Sequence, residues 1–496
     1  MSYHLQKSHG LPLGNDKVDA TQPTIMTMWK RNETANTAEL FEKNLIRWVV
    51  QTRQPFTVIE SPAFVRLFKD IPGVNLPFTS RKTLKLRIDS EFAMCRANLK
   101  RELDRTCRTI ALSLDVWTSQ NQKAILGVIG HWLTEDFEYK ENVLEFAELV
   151  GVHSGDNMAQ MVFDMLKELD LTTKLITVTA DNASNNGTFV EALGLMLEEE
   201  SDDVRFRGRE SFISCLAHVL NLIVKDILKS LKSGDTSSAN EACDQIARGG
   251  LGLIGFHSAL SRLRILSLWI LRTPQRREGW RNLCSVHGLN DKYIQYDVDN
   301  RWNSTYRMLQ DGLSAKEQIR HYLNAIGLLP PFTSSDWQHL EQIAKVLEKF
   351  DEFTKLVSTK GLSISLSIGI YYELQDLLEN ATTRQEQFSD LEEGIASAVA
   401  GGLQKYHKYY DFLDEQDAYY VALLLDPRFK TELLKGELKD EEDAHFIVKS
   451  MKVRLHKEYP PIVPACMEPI VIAEKPSLES RMLSKFGPPK GSAIRY

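Results

Sequence analysis

Two aspartates stand where a chain could hold divalent metal. Asp115 lies in ALSLDVWTSQ and Asp181 in LITVTADNASNN. Each ends an apolar, alternating run that reads as a strand, and a Gly/Asn-rich turn follows the second. Two carboxylates at neighbouring strand ends can share a pair of Mg2+ or Mn2+ ions about 3.5–4 Å apart, an arrangement that cuts phosphodiester bonds. Aspartate is also common at turns and helix caps, so the pair alone leaves the structural role open.

The elements between and around the two aspartates decide whether they can meet. TIALSL, KAILGVIGHWL and YKENVLEFAEL read as three successive strands, the third with Val143, Glu145 and Ala147 on one face. MAQMVFDMLKEL carries a helical apolar stripe, KLITVTA is a fourth strand and NNGTFVEALGLMLEE a second helix. FISC is a short fifth strand, and LAHVLNLIVKDIL a third helix. Three strands, a helix and a strand is the order of a ribonuclease-H-like core. There the first three strands are antiparallel, and the first and fourth lie side by side and parallel. Asp115 and Asp181 would then emerge at one edge. The expected fold class is α/β, a mixed five-stranded sheet with flanking helices. A large all-α insertion interrupts it, and a small helical module precedes it.

Five segments follow. Residues 1–37 are polar and unpatterned and are expected to be disordered. Residues 38–106 are helical: AELFEKNLIRWVV puts Leu40, Leu45, Trp48 and Val49 on one side, Pro62 opens a second helix and Ser80 caps a third. Residues 107–232 form the core. Residues 233–458 are helical after a flexible break at SGDTSSANEA, and Ser335 with Gln338 reads as a capping box for the clearest helix. Residues 459–496, rich in Pro, Gly and charge, read as a linker-like tail.

At 496 residues, two or three domains are expected, and 43% apolar residues suffice for a sizeable core. No apolar run reaches the ~18 residues of a membrane span, and the N-terminus has no signal core. Six scattered cysteines do not suggest a disulfide framework. The net charge of −7 argues against a protein that coats nucleic acid everywhere, but two basic patches stand out. Residues 51–110 hold twelve Lys/Arg against six Asp/Glu, and residues 251–290 hold six Arg against one Glu. In the second patch Arg262, Arg264, Arg272, Arg276 and Arg277 lie near Trp269 and Trp280, which suits a phosphate-tracking face. A solvated helix face is the alternative.

Seven blocks in order resemble the hAT superfamily of DNA transposases, the group that includes the Ac and Hermes elements. They are DVWTS, the HW of His131 and Trp132, GVHSGDN, TADNASNN, CLAHVLNL, DVDNRWNSTYRML and LLDPRFK, and they cover about residues 40 to 455. The resemblance implies DNA as partner, a nuclear location and Mg2+ or Mn2+ as cofactor. It implies that Asp115 and Asp181 are catalytic metal ligands. It further implies that Trp302 stacks on a flipped base, with Arg301 beside it on phosphate, and that His218 orients DNA or a carboxylate. Arg276 and Arg277 complete the expected DNA contacts. Cys215 with His218 and Cys284 with His287 share a C-x-x-H spacing, but a composite zinc site is not favoured.

Two departures bear on activity. The family's third carboxylate, a glutamate in a block like S-x-x-E-R-x-F, has no match here; Glu474 and Glu479 lie on the right side of the insertion in unmatched surroundings. The apolar, tryptophan-rich dimerisation region is also unmatched, which leaves homo-oligomerisation open, and no C-x-x-C of a BED zinc finger occurs. Two readings follow. One is a strand-transfer enzyme derivative that is incomplete as this chain. The other is a domesticated or remnant transposase that acts as a non-enzymatic DNA-binding regulator.

Overall fold

The computed structural model describes residues 25–458, except 70, 73, 152–153, 183, 249–257, 299–300, 328, 360–363, 415 and 438–440. Two compact units divide between Cys107 and Arg108.

The first unit comprises helices α1 (Ile25–Gln51), α2 (Pro62–Lys69) and α3 (Arg81–Thr106). Helix α1 starts well before Ala38, so the segment expected to be disordered is already helical from Ile25. The rest of that expectation falls outside the described residues. Ser80 caps α3 as expected, its hydroxyl accepting from the N–H groups of Lys82 and Thr83. The core is Leu45, Ile46, Val49, Ile59, Phe64, Phe78 and Leu84. Leu40, expected on the apolar side, is 60% exposed, and Ile46 is buried instead. Trp48 is partly exposed and stacks on Phe64 at 5.6 Å. Helix α3 buries only Leu84 and Leu103, leaving Lys82, Lys85, Arg101 and Arg105 exposed.

The second unit opens with β1 (Ile110–Thr118), β2 (Ala124–Leu133) and β3 (Tyr139–Glu148), an antiparallel meander. Strand β4 (Leu175–Ala180) adds parallel to the other edge of β1, and β5 (Phe212–Ser214) parallel to β4. The spatial order is β3-β2-β1-β4-β5. The five-stranded mixed sheet and its flanking helices are those of the expected ribonuclease-H-like core. Alternation places Ile110, Leu112, Leu114, Leu126, Val128 and Trp132 inward. A register shift between Val128 and Ile129 breaks the alternation of β3. Val143, Glu145 and Ala147 therefore do not share a face: Val143 pairs with outward Ile129, whereas Glu145 and Ala147 pair with inward Val128 and Leu126. The outward face of the meander leaves Trp117, Ile129, Leu133, Tyr139, Val143 and Phe146 exposed.

Helices α4 (Gly155–Glu168), α5 (Ser184–Glu200) and α6 (Leu216–Ser230) complete the core. Gly155 sits where α4 meets the start of α5. A Cβ there would lie 2.5 Å from the Phe189 nitrogen and 2.7 Å from the Asn185 carbonyl. Backbone cannot yield as a side-chain tip can, so Gly155→Ala should displace the first turn of α5, directly after Asp181. The expected cost is about 1–3 kcal/mol, the range for overpacking, read as a lower denaturation midpoint. An unchanged midpoint would mean the two helices part freely.

The remaining helices are α7 (Thr236–Ala247), α8 (Ala259–Leu271), α9 (Pro274–Val286), α10 (Trp302–Ser314) and α11 (Lys316–Ile326). They continue with α12 (Ser334–Val357), α13 (Ser365–Thr383), α14 (Glu393–Asp414), α15 (Asp417–Leu425), α16 (Glu432–Glu437) and α17 (Glu441–Glu458). The expected polar break is helix α7. Asp235 caps it through the Ser238 N–H, and Ala239, Ala242, Cys243 and Ile246 bury one face. The capping box of α12 is formed by Thr333 and Asp336, not Ser335 and Gln338. Thr333 is the residue with the extended backbone a cap requires. Helix α6 belongs to both halves of the unit: Val219, Leu220, Ile223, Val224 and Ile227 share one core with the helices that follow. Helix α15 ends at Asp426, before Pro427, as expected.

Candidate functional site

The last paired residues of β1 and β4 are Ser113 and Thr179. One more pleat along that register sets Asp115 beside Asp181 on the same face. Neighbouring strands are about 4.8 Å apart. The structure thus brings both sequence-predicted aspartates to one sheet edge. The Cys215 thiol, at the start of α6, gives an independent sign of their proximity. Burial pushes it up, and the carboxylates of Asp181 and Asp115 both push it the same way. Its backbone N–H donates to the Ala180 carbonyl, which fixes the start of α6 against the end of β4.

Each carboxylate has a different setting. Asp115 is exposed and lies opposite Gly127 on β2. A side chain at Gly127 would crowd the Trp117 ring, with a Cβ at 3.2 Å, so glycine lets Trp117 lie across β2 toward Phe146, 5.7 Å away. Asp181 is half-buried and is held from the first turn of α5. The Asn186 amide, itself buried, donates to the Asp181 carbonyl at 2.6 Å and to its carboxylate at 2.7 Å. Asn186 is a positioning residue that the turn-like TADNASNN did not reveal. Its signal is the spacing, since one helical turn past a strand end returns a short amide to the carboxylate.

His131 joins a hydrogen-bonded row on the same sheet face. The Ser113 hydroxyl lies 2.8 Å from His131 Nε2, His131 Nδ1 is 2.8 Å from the Tyr139 hydroxyl, and that hydroxyl donates to Glu141 at 3.1 Å. Burial lowers the imidazole, with Glu141 opposing, so a neutral ring that donates from Nδ1 and accepts at Nε2 satisfies every partner. Among the described residues, no three or more His, Cys, Asp or Glu side chains converge as metal ligands. His287 stacks on His321 with centroids 3.8 Å apart, and Cys284 is fully buried.

Comparison with known proteins agrees with this geometry. Residues 113–205 match the ZBED1 RNase-like domain, and residues 213–346 match the ZBED1 RNase-like helical domain. A putative AC transposase of Zea mays is 25% identical over 88% of this chain and 50% of its own length. The putative transcriptional regulator tpeD of Talaromyces stipitatus is 26% identical over 81% of this chain and 45% of its own. The chain is a hAT-transposase-like protein. It spans about half the length of these curated relatives. A human zinc finger BED domain-containing protein 4 is more distant, 21% identical over 77% of this chain.

The DNA-binding residues expected of a hAT-like chain separate into groups. Trp302 opens α10 and is 3% exposed, packed at 6.3 Å against both Tyr306 and Phe350. Its ring sits in the helical core, the alternative to base stacking. Arg301 beside it is exposed, and His218 is half-buried in the first turn of α6. The arginine patch needs correction. Arg264 is buried, bridging Asp297 through Nε at 2.9 Å and Nη2 at 2.6 Å, and also reaches the Ser233 and Gly234 carbonyls. Thr305 donates to the same carboxylate at 2.9 Å. Arg262 pairs with Asp336 and lies over Phe332, and Arg272 pairs with Asp244. Helix α8 is apolar on most of its surface, so its arginines turn to internal carboxylates. Arg276 lies over Trp269, and Arg277 is exposed. Among the described residues no helix is long and apolar enough to cross a membrane.

Proposed function

We propose that this transposase-derived chain is a nuclear DNA-binding protein, and that its Asp115–Asp181 edge is the inherited seat of a divalent cation. The observation that supports this most is the alignment of the two carboxylates on adjacent parallel strands, one already held by Asn186. Hard oxygen donors at a strand edge suit Mg2+ or Mn2+. Asp115 and Asp181 would hold the cation, which when bound supplies Lewis-acid stabilisation to phosphodiester oxygens. Two carboxylates make an incomplete set for strand transfer, so binding is the activity proposed for the described residues. Glu474 and Glu479 lie outside them. A regulatory role is the second reading, favoured by this incomplete ligand set and by the similarity to a putative transcriptional regulator.

Charge reversal tests the DNA interface. Arg276→Glu with Arg277→Glu should weaken duplex DNA binding. It should also flatten the plot of log affinity against log salt by about 2, close to one unit per lost phosphate contact. Parallel wild-type and mutant slopes would reduce this end of α9 to a solvated surface.

A further inference from the structure

The turn between β2 and β3 carries a side chain that local stability does not select. The Thr134 N–H donates to the Glu138 carbonyl and the Phe137 N–H to the Thr134 carbonyl, both at 3.0 Å. Glu135, Asp136 and Phe137 form the tip, and Phe137 has a φ of 60°. That left-handed place in a short hairpin loop favours Gly or Asn, and a bulky residue there is an outlier. The Phe137 ring is also 85% exposed, more than any other large apolar side chain among the described residues. A residue that is both strained and unburied points to a use outside its own fold. The tip is acidic. Arg108 pairs with Glu135 and Lys140 with Glu138, so Asp136 leaves it net negative.

A groove of the opposite character, about 350 Å3, lies between α9 and α11. Gly279, Leu283, Tyr322 and Ile326 give it apolar walls, and Arg276, stacked on Trp269, closes one side. Arg277 is exposed beside it, so cations outnumber Glu278 at the rim. Two such grooves facing each other would oppose like charges, whereas a negative tip with an aromatic point is the complement.

We propose that Phe137 of one copy of this chain seats in the groove between α9 and α11 of a second copy, with Asp136 toward Arg276 and Arg277. An aromatic ring between apolar walls and an arginine makes an interface anchor. Within one chain the ring is exposed and the groove is open, so the contact is between copies. Tip and groove are different surfaces, so association runs head to tail and gives rings or open chains. A single anchor makes the contact weak and concentration-dependent.

The test is sedimentation velocity on the full chain at increasing concentration, where wild type should sediment faster as concentration rises. Phe137→Asn removes the ring and suits the left-handed backbone. Gly279→Leu fills the groove at a position where a Cβ meets nothing within 4 Å. Neither melting temperature should fall. Each variant alone should associate about tenfold or more weakly, as on loss of an anchor. Mixed, the two should form a one-to-one complex that grows no further, because one copy keeps only the groove and the other only the ring. Both variants leave Arg276 and Arg277 unchanged, so this proposal and DNA binding there can fail separately. A wild type that stays monomeric throughout, a variant that associates like wild type, or a mixture that does not pair overturns the proposal.

Discussion

Asp297→Ala is expected to destabilise the second unit by about 3–5 kcal/mol, the range for breaking a buried ion pair from one side. The cause is what remains. Arg264 would stay in the core with its guanidinium facing an empty site, and Thr305 would lose its acceptor. The two backbone carbonyls of Ser233 and Gly234 cannot balance that charge alone. Asp297→Asn keeps the shape and one acceptor oxygen, so it should cost less. Replacing both partners with apolar residues, as in Arg264→Met with Asp297→Leu, should cost less than either single truncation, because no charge is stranded. The surface pair Arg320–Glu317 is the control, with an expected effect near zero. Urea denaturation with unchanged slope is the measurement. A loss under about 1 kcal/mol for Asp297→Ala would show that water reaches Arg264.

Asp181→Ala should reduce Mn2+ affinity more than about 100-fold, while Asn186→Ala should reduce it about 10–100-fold, as for a residue that orients a ligand. The wild-type chain itself is expected to show no DNA cleavage above the Asp181→Ala control. The reason is charge balance. Two divalent ions bring about +4, against about −2 from the aspartates and about −1 from a phosphate. Among the described residues no third carboxylate joins the pair, and two aspartates alone should hold the second ion weakly. The assay is purified protein with Mn2+ and DNA bearing candidate element ends. Specific nicking that Asp181→Ala abolishes would show that these 496 residues contain the missing ligand, and Glu474 and Glu479 would be mutated first.

The strand order was readable because β1, β2 and β4 alternate over several residues, and their ends carry Asp115 and Asp181. The face assignment of β3 was not readable. A one-residue bulge leaves local composition unchanged while it flips every later side chain. The arginines show a second limit. Arg262 and Arg264 read as a basic patch because charge is additive along a sequence, yet the carboxylates that neutralise them come from elsewhere in the chain, Asp336 from α12 and Asp297 from the segment that precedes α10. Helix α7 was hidden by its Ser- and Thr-rich start, although Ala239, Ala242, Cys243 and Ile246 hold helical spacing. Asn186 and Asn182 could be named but not separated in TADNASNN. Only the fold turns one toward Asp181 and the other toward Tyr409.

The central place of β1 between an antiparallel and a parallel neighbour also sets an order of assembly. Its pairing with β2 closes through a tight turn at Ser119–Lys123, and β2 with β3 through another at Thr134–Glu138. Such hairpins need little chain closure and form on microsecond timescales. Pairing of β1 with β4 must bring Ser113 to Thr179 across β2, β3 and α4, with a larger loss of chain entropy. During synthesis the meander is finished before the codons for β4 are read. Asp115 therefore spends the early life of the chain at an open strand edge. It gains Asp181 as a neighbour only when the slow, long-range closure is made.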